Sequence, residues 1–262
     1  MKQEINHLKV ENIDKEDSKQ IPVQSANTLF RFFKNFKYLK DVLSHSGLAP
    51  RYCEEYVEYL DIPYNIIAYP MICFCDINLH KLKTHTENYG NYGIAFSKDW
   101  GENKGIQPIQ YVNPNSNLCK DFSEAFNYSL TSKDDSILQD YLLTHMNFIK
   151  PLKGKMNIGD NIEERIFTDE CEWRYVPDSK KLQIPSVLVD QELTTIDIWN
   201  EIASKDEYRL HFEYEDIKYI IVENKNNFFE VCDLLEELNL DKRIMKQVIS
   251  KIIVWDDERS DF

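Results

Sequence analysis

The sequence predicts an α+β fold with a mixed central sheet and flanking helices, and three observations predict it. Segments of strand and helix pattern are interspersed along the whole chain, with no internal repeat or low-complexity tract. Glycine-rich strand-to-helix turns, the mark of a doubly wound parallel sheet, are scarce, since 262 residues hold only 7 glycines. Hydrophobic residues at 42% and charged residues at 29% describe a globular chain long enough to bury a large core.

Residues 1–25 mix Lys, Glu, Asp, Gln and Asn with few apolar positions in phase, so residues 1–27 read as a mobile N-terminal arm and residues 28–262 as one α+β domain. Thr28 to Phe33 is an aromatic-rich strand, feeding a helix in which Phe36, Leu39, Val42 and Leu43 share a face until Gly47 stops it. Pro50 opens a second helix, with Cys53, Val57 and Leu60 on its apolar face, and Pro63 ends it. The apolar run Asn65 to Asp76 is a buried strand. Asn78 caps a helix over 79–88 that Gly90 terminates, and Tyr92 to Ser97 is the next strand. A short helix over 99–104 closes at Gly105, and 108–112 is a further strand. From Leu118 to Phe148 the set Phe122, Phe126, Leu130, Ile137, Leu138, Tyr141, Leu142 and Met146 recurs at helical spacing and is expected to be buried, with a break near 131–134. Ile166 to Pro177 reads as a strand, 195–204 as a helix, and 209–212 and 218–223 as strands. Asn227 to Leu238 is an amphipathic helix, and 251–255 is the closing strand.

Lysine and arginine number 31 against 45 acids, a net charge of −14. Such a field repels phosphate backbones, so duplex DNA binding through a basic surface is not expected. The longest apolar run, Ile66 to Ile77, falls short of the roughly 20 residues a membrane-spanning helix needs. No secretory signal is evident at residues 1–28, so the six cysteines are expected to be reduced and the protein cytoplasmic. Neither a dinucleotide fingerprint, a phosphate loop nor a Gly-x-Ser-x-Gly elbow occurs.

Cys73, Cys75, His80 and His85 are the tightest metal-type grouping. Cys73 and Cys75 stand one residue apart within an apolar run and face one side of a strand, so no structural metal is expected. Asp76 reads as a cap for residues 78–82, and Trp173 as core. The acidic stretch carries more information: Asp160, Glu163, Glu164, Asp169, Glu170 and Glu172 crowd six acids into thirteen residues around Arg165. Crowding of this kind raises carboxylate pKa values or demands a cationic partner. At strand spacing Glu170 and Glu172 share a face, about 7 Å apart, a pair able to stabilise a developing cation and deprotonate an acceptor. The alternative is an exposed acidic edge neutralised by Arg165 and Arg174.

Leu29-Phe30-Arg31-Phe32-Phe33-Lys34, the helix ending at Gly47 and Pro50-Arg51-Tyr52-Cys53-Glu54-Glu55 resemble the opening of the bacterial abortive-infection AbiGi family. The segments Ala68 to Leu79, Tyr89 to Val112 and Asp169 to Pro177 follow in order, so the likeness covers roughly residues 28–180. This family is described as the antitoxin component of phage-resistance systems. A second similarity, to ADP-ribosyltransferase folds, rests on the order of an arginine-bearing strand, a Tyr/Ser strand and a Glu-x-Glu strand. The usual His-x-Thr opening is replaced here by Arg31 and Phe33, which fits only the arginine form. That resemblance implies NAD as substrate, with Arg31 binding its phosphate or ribose, Ser97 supporting the nicotinamide pocket, Glu172 as catalytic carboxylate and Glu170 at the acceptor. Two functions follow: a phage-defence protein that transfers ADP-ribose, or a non-catalytic antitoxin or sensor that neutralises a partner toxin or meets a phage component.

Overall fold

The computed structural model describes residues 26–132, 136–158 and 161–258, so nearly all of the expected arm lies outside the described residues. Strand β1 (Leu29–Phe33) leads into helix α1 (Phe36–Ser44), where the Asn35 side chain accepts the Lys37 N–H at 3.0 Å and Leu39, Val42 and Leu43 are buried. After β2 (Gly47–Leu48) the expected second helix does not form. Arg51–Tyr56 is strand β3, and only Glu58–Leu60 turns, as a 3-10 helix. The spacing of Cys53, Val57 and Leu60 imitates a helix, but β3 pairs residue for residue with β4 (Ile66–Cys75), and that pairing decides the backbone.

Residues Leu79–Lys81 make a 3-10 turn before α2 (Leu82–Tyr89), which Gly90 ends at φ +108°. Strand β5 (Tyr92–Phe96), helix α3 (Lys98–Asn103) and strands β6 (Gln107–Pro108) and β7 (Gln110–Val112) follow. Helices α4 (Asn117–Thr131) and α5 (Ser136–Met146) break where the pattern predicts, and bury Phe126, Leu142 and Met146. Leu130, Ile137 and Tyr141, expected in the core, are instead exposed. Strand β8 (Ile149–Pro151) is too short to show a period, and β9 (Lys153–Ile158) and β10 (Asn161–Ile166) are interrupted by charge, so the apolar pattern announces none of them.

The strand expected over Ile166 to Pro177 shrinks to β11 (Glu172–Tyr175), because 167–170 form a 3-10 turn and Cys171 takes the left-handed region at φ +43°. The chain continues through α6 (Ser179–Leu182), β12 (Leu188–Val189), α7 (Ile196–Ala203), β13 (Leu210–His211) and β14 (Ile217–Val222). It closes with α8 (Lys225–Glu237), α9 (Lys242–Ile249), β15 (Ile252–Val254) and α10 (Trp255–Glu258).

The main sheet runs β15-β14-β5-β1-β4-β11-β6, with β3 and β12 also on β4. It is mixed, because β14 and β15 are parallel while the other pairs are antiparallel. Helices α1, α8 and α9 bury Leu39, Leu43, Val231, Leu235 and Val248 against Phe74, Ile94, Phe96 and Ile220. A second cluster packs Phe126, Leu142 and Met146 of α4 and α5 on Ile67, Tyr69 and Met71 of β4. No described helix is long and apolar enough to cross a membrane.

One irregularity positions the site. β1 pairs with β5 along its whole length but meets β4 only at Phe30 opposite Cys75. Beyond that pair the strands part, and a cleft opens between β1 and the β3–β4 pair.

Candidate functional site: a cleft over a buried charge cluster

Arg31 stands on β1 where the strands part. Its Nη1 donates to the Cys73 carbonyl at 3.2 Å, a β4 acceptor that β1 leaves unpaired, and its guanidinium lies 5.7 Å from the Phe33 ring centre. The cleft measures about 220 Å³ and has aromatic walls, with Phe30, Phe32, Tyr89 and Phe167 among its lining; its charged groups are Arg31, Glu55, Lys150, Glu170 and Glu172, with Glu54 and Lys155 also on the lining. A wider hollow of about 940 Å³ adjoins it, sharing His85, Tyr89, Met156 and Glu170.

Beneath the cleft Arg174 is fully buried, and every one of its N–H groups is used. Nε donates to Glu172 Oε1 at 2.7 Å, and Nη1 to the Tyr69 hydroxyl at 2.7 Å and the Asn147 carbonyl at 2.9 Å. Nη2 donates to Glu55 Oε1 at 2.7 Å and Glu172 Oε2 at 3.2 Å. Lys150, buried at the cleft wall, donates to Glu170 and Glu172 at 3.1 Å each, with Glu55 at 4.0 Å. Glu55 and Arg174 meet although their partners on β4, Ile67 and Cys73, are six residues apart, about 20 Å on a straight strand, so β4 must curl around the cluster.

Glu55, Glu170 and Glu172 against Lys150 and Arg174 leave the cluster one negative charge in excess. Burial alone pushes Glu172 up, but Arg174 and Lys150 outweigh it and hold the carboxyl well below the usual range. For Glu170 burial prevails over Lys150, and with Glu172 adding its repulsion the carboxyl is raised. Lys150, which burial would discharge, is kept charged by Glu172, Glu55 and Glu170. The two neighbouring carboxylates are thereby driven apart: Glu172 is a fixed anion, and Glu170, reached by the Tyr89 hydroxyl, is the group able to exchange a proton. His85 stacks on Tyr89 with ring centres 4.3 Å apart, and burial lowers its pKa to about 4.

Arg31, Glu170 and Glu172 therefore line one cleft, whereas Ser97 does not. Its Oγ accepts the Trp100 N–H at 3.1 Å as the cap of α3, and it lines neither hollow. Glu170 and Glu172 converge on Lys150 through the left-handed turn at Cys171 rather than by lying along one strand. The acidic stretch is divided: Glu163, Glu164 and Asp169 are exposed, as the acidic-edge alternative expects, whereas Glu172 is buried and Glu170 partly so, with Lys150 as a counter-ion additional to the two arginines. Arg174 is buried with Glu172, while Arg165 bonds Asn88 and Glu163. Asp76 pairs with Lys98 instead of capping 78–82, and Trp173 packs on the core with the Lys98 ammonium 5.5 Å from its ring. Cys73 and Cys75 both line the cleft, and no group of three His, Cys, Asp or Glu among the described residues has the placement to hold a metal ion.

Sequence reasoning missed Lys150, Glu55 and Tyr89. One signal for Lys150 exists: it interrupts the apolar stretch Phe148-Ile149-Pro151-Leu152, where a lysine is costly unless paired. Nothing local marks Glu55 once β3 is mistaken for a helix.

The family model described as "Putative abortive phage resistance protein AbiGi, antitoxin" matches residues 46–223, a span that includes the whole charge cluster but not Arg31. The chain is also similar to the "Abortive phage resistance protein AbiGi" of Lactococcus lactis subsp. cremoris. The two are 32% identical over 248 residues, covering 82% of this chain and 100% of the relative. No solved structure matches. With a family model spanning more than half of its length and a relative matched from end to end, the chain belongs to the AbiGi family.

Proposed function

We propose that the protein acts in abortive phage resistance as an antitoxin, binding and neutralising a partner toxin in the cytoplasm. One observation supports this most directly: the carboxylate that transferase chemistry would require, Glu172, is the counter-ion of two buried cations, with both oxygens engaged by Arg174 and Lys150. Held this way it stabilises the sheet, and freeing it for a substrate would leave Arg174 uncompensated in the interior. The description of the matching family as an antitoxin agrees, and a net charge of −14 suits a basic partner.

A second reading, NAD-dependent mono-ADP-ribosyl transfer, is favoured by the shared lining of Arg31, Glu170 and Glu172. In that reading Arg31 holds a phosphate, Glu172 stabilises the oxocarbenium ion, and Glu170 takes the acceptor's proton. Ser97 could contribute only through the helix it caps.

Calorimetry of the purified protein with NAD, paired with co-expression against the toxin of the same locus, separates the two readings. Glu170→Gln and Arg31→Ala are the suitable variants. Glu172→Gln is not, because an amide nitrogen would have to face one of the donors now on each oxygen. The antitoxin reading expects no NAD heat and full rescue of growth by both variants. Micromolar to millimolar NAD binding that Arg31→Ala weakens about ten-fold would overturn it.

A further inference from the structure

Helices α4 and α5 form an antiparallel-type pair whose inner faces are in the core, yet their outer faces carry large apolar side chains. Leu118 is 53% exposed, Tyr128 63%, Ile137 82% and Tyr141 61%. Single exposed apolar residues, such as Tyr128, need no explanation, but Leu118, Ile137 and Tyr141 connect. Tyr141 stacks on His145 with ring centres 5.8 Å apart, and His145 lies 5.5 Å from Phe122. Leu118, one turn before Phe122, lines a small dimple of about 30 Å³ with Phe122 and His145. Ile137 precedes Tyr141 by one turn of α5. An apolar stripe thus crosses from one helix to the other.

The stripe is bordered by acids. Asp121 and Glu124 fall on the same outer face of α4 as Tyr128, at spacings of three, four and seven residues, and neither has an ion pair among the described residues. An aromatic and aliphatic centre with unpaired carboxylates at its rim is the complement of a basic polypeptide surface with apolar residues at its middle.

We propose that this outer face of α4 and α5 is the docking surface for the toxin, received as a basic, apolar-centred protein surface. The proposal rests on the antitoxin reading and adds to it the place of contact. It also explains why the helical spacing puts Ile137 and Tyr141 in phase with core positions while the folded chain leaves them bare: they are core residues of a complex.

The test uses the full-length protein co-expressed with the tagged toxin of the same locus, with affinity measured by calorimetry on the purified pair. The variants are Ile137→Asp with Tyr141→Asp, Asp121→Asn with Glu124→Gln, and Phe229→Asp as a control on α8, where Phe229 is 61% exposed. The stripe variant is expected to lose at least about ten-fold in toxin affinity and to lose growth rescue. The neutralised-rim variant is expected to bind with a flatter salt dependence, and the control to bind like the wild type. Wild-type binding that the stripe variant retains within about two-fold would overturn the docking site while leaving the antitoxin reading intact. A wild-type protein that does not bind the toxin at all would overturn both. A stripe variant that converts a dimer to a monomer in sedimentation while binding toxin normally would assign the face to a second copy and so overturn the proposal.

Discussion

Arg174 concentrates the energetics of the site in one side chain. A guanidinium out of contact with water is tolerable only when its donors are all satisfied and its charge is balanced. Glu172, Glu55, Tyr69 and the Asn147 carbonyl meet both conditions, and they tie β11, β3, β4 and the end of α5 to a single planar fork. Lysine has a point charge and three donors on a flexible stem, so it can satisfy part of this set and must leave the rest unpaired. Arg174→Lys is therefore expected to lower stability by about 3 kcal/mol in urea unfolding, the range for breaking a buried ion pair. A loss under about 1 kcal/mol would mean that water or a shifted Lys150 replaces the missing contacts, and that the fork is not what joins these strands.

At the scale of elements, the cleft exists because β1 leaves β4, and the turn at Gly90 helps set where β1 goes. A Cβ at Gly90 would stand 2.1 Å from the Phe33 carbonyl oxygen, and its φ of +108° is outside the range open to other residues. Gly90→Ala must push α2 away from the end of β1, so a loss of about 3 kcal/mol is expected in thermal or urea unfolding. A stability unchanged within about 0.5 kcal/mol would show that the α2–β1 contact is loose. Legibility in the sequence follows the same division between local and long-range causes. α1, β4, β5 and the α4–α5 break are readable because their apolar periods are local and their caps and breakers, Asn35, Gly90 and Ser97, lie beside them. β3 is not readable, since its strand state comes from β4 rather than from its own pattern; β8 is too short to show a period, and β9 and β10 are too charged. Glu170 and Glu172 stand out as a pair, but the ammonium that joins them is 20 residues back, on a three-residue strand too short to show a period. The exposure of Ile137 is the converse case, a helical period obeyed by the sequence and left uncovered by the fold.

Over the whole molecule, acid acts on several groups with opposite sign, and the half-buried imidazole of His85 can be isolated from the rest. Burial lowers the His85 pKa from its ordinary 6.5 to about 4, so the unfolded chain takes up a proton there before the folded chain does. The stability His85 confers is present above pH 6.5 and is lost as pH falls toward 4, by up to about 3 kcal/mol across that window. Glu170, raised by burial, works in the other direction, since the folded state binds its proton first and gains as pH falls toward the ordinary carboxylate value. Relief of self-repulsion in a chain of charge −14 has the same sign as Glu170. Glu172, held low by Arg174 and Lys150, surrenders its contribution mainly below the window. A raw pH profile mixes all of these, but the difference between the wild type and His85→Phe does not, because phenylalanine keeps an apolar ring against Tyr89 and Phe32 and cannot titrate. The expected result is that the wild type loses stability relative to His85→Phe between pH 6.5 and 4, by about 1–3 kcal/mol in urea unfolding at each pH. Parallel profiles for the two proteins would mean that His85 is protonated in the folded state and hydrated within the wider hollow, and that the Tyr89–His85 wall of the cleft stands open to water.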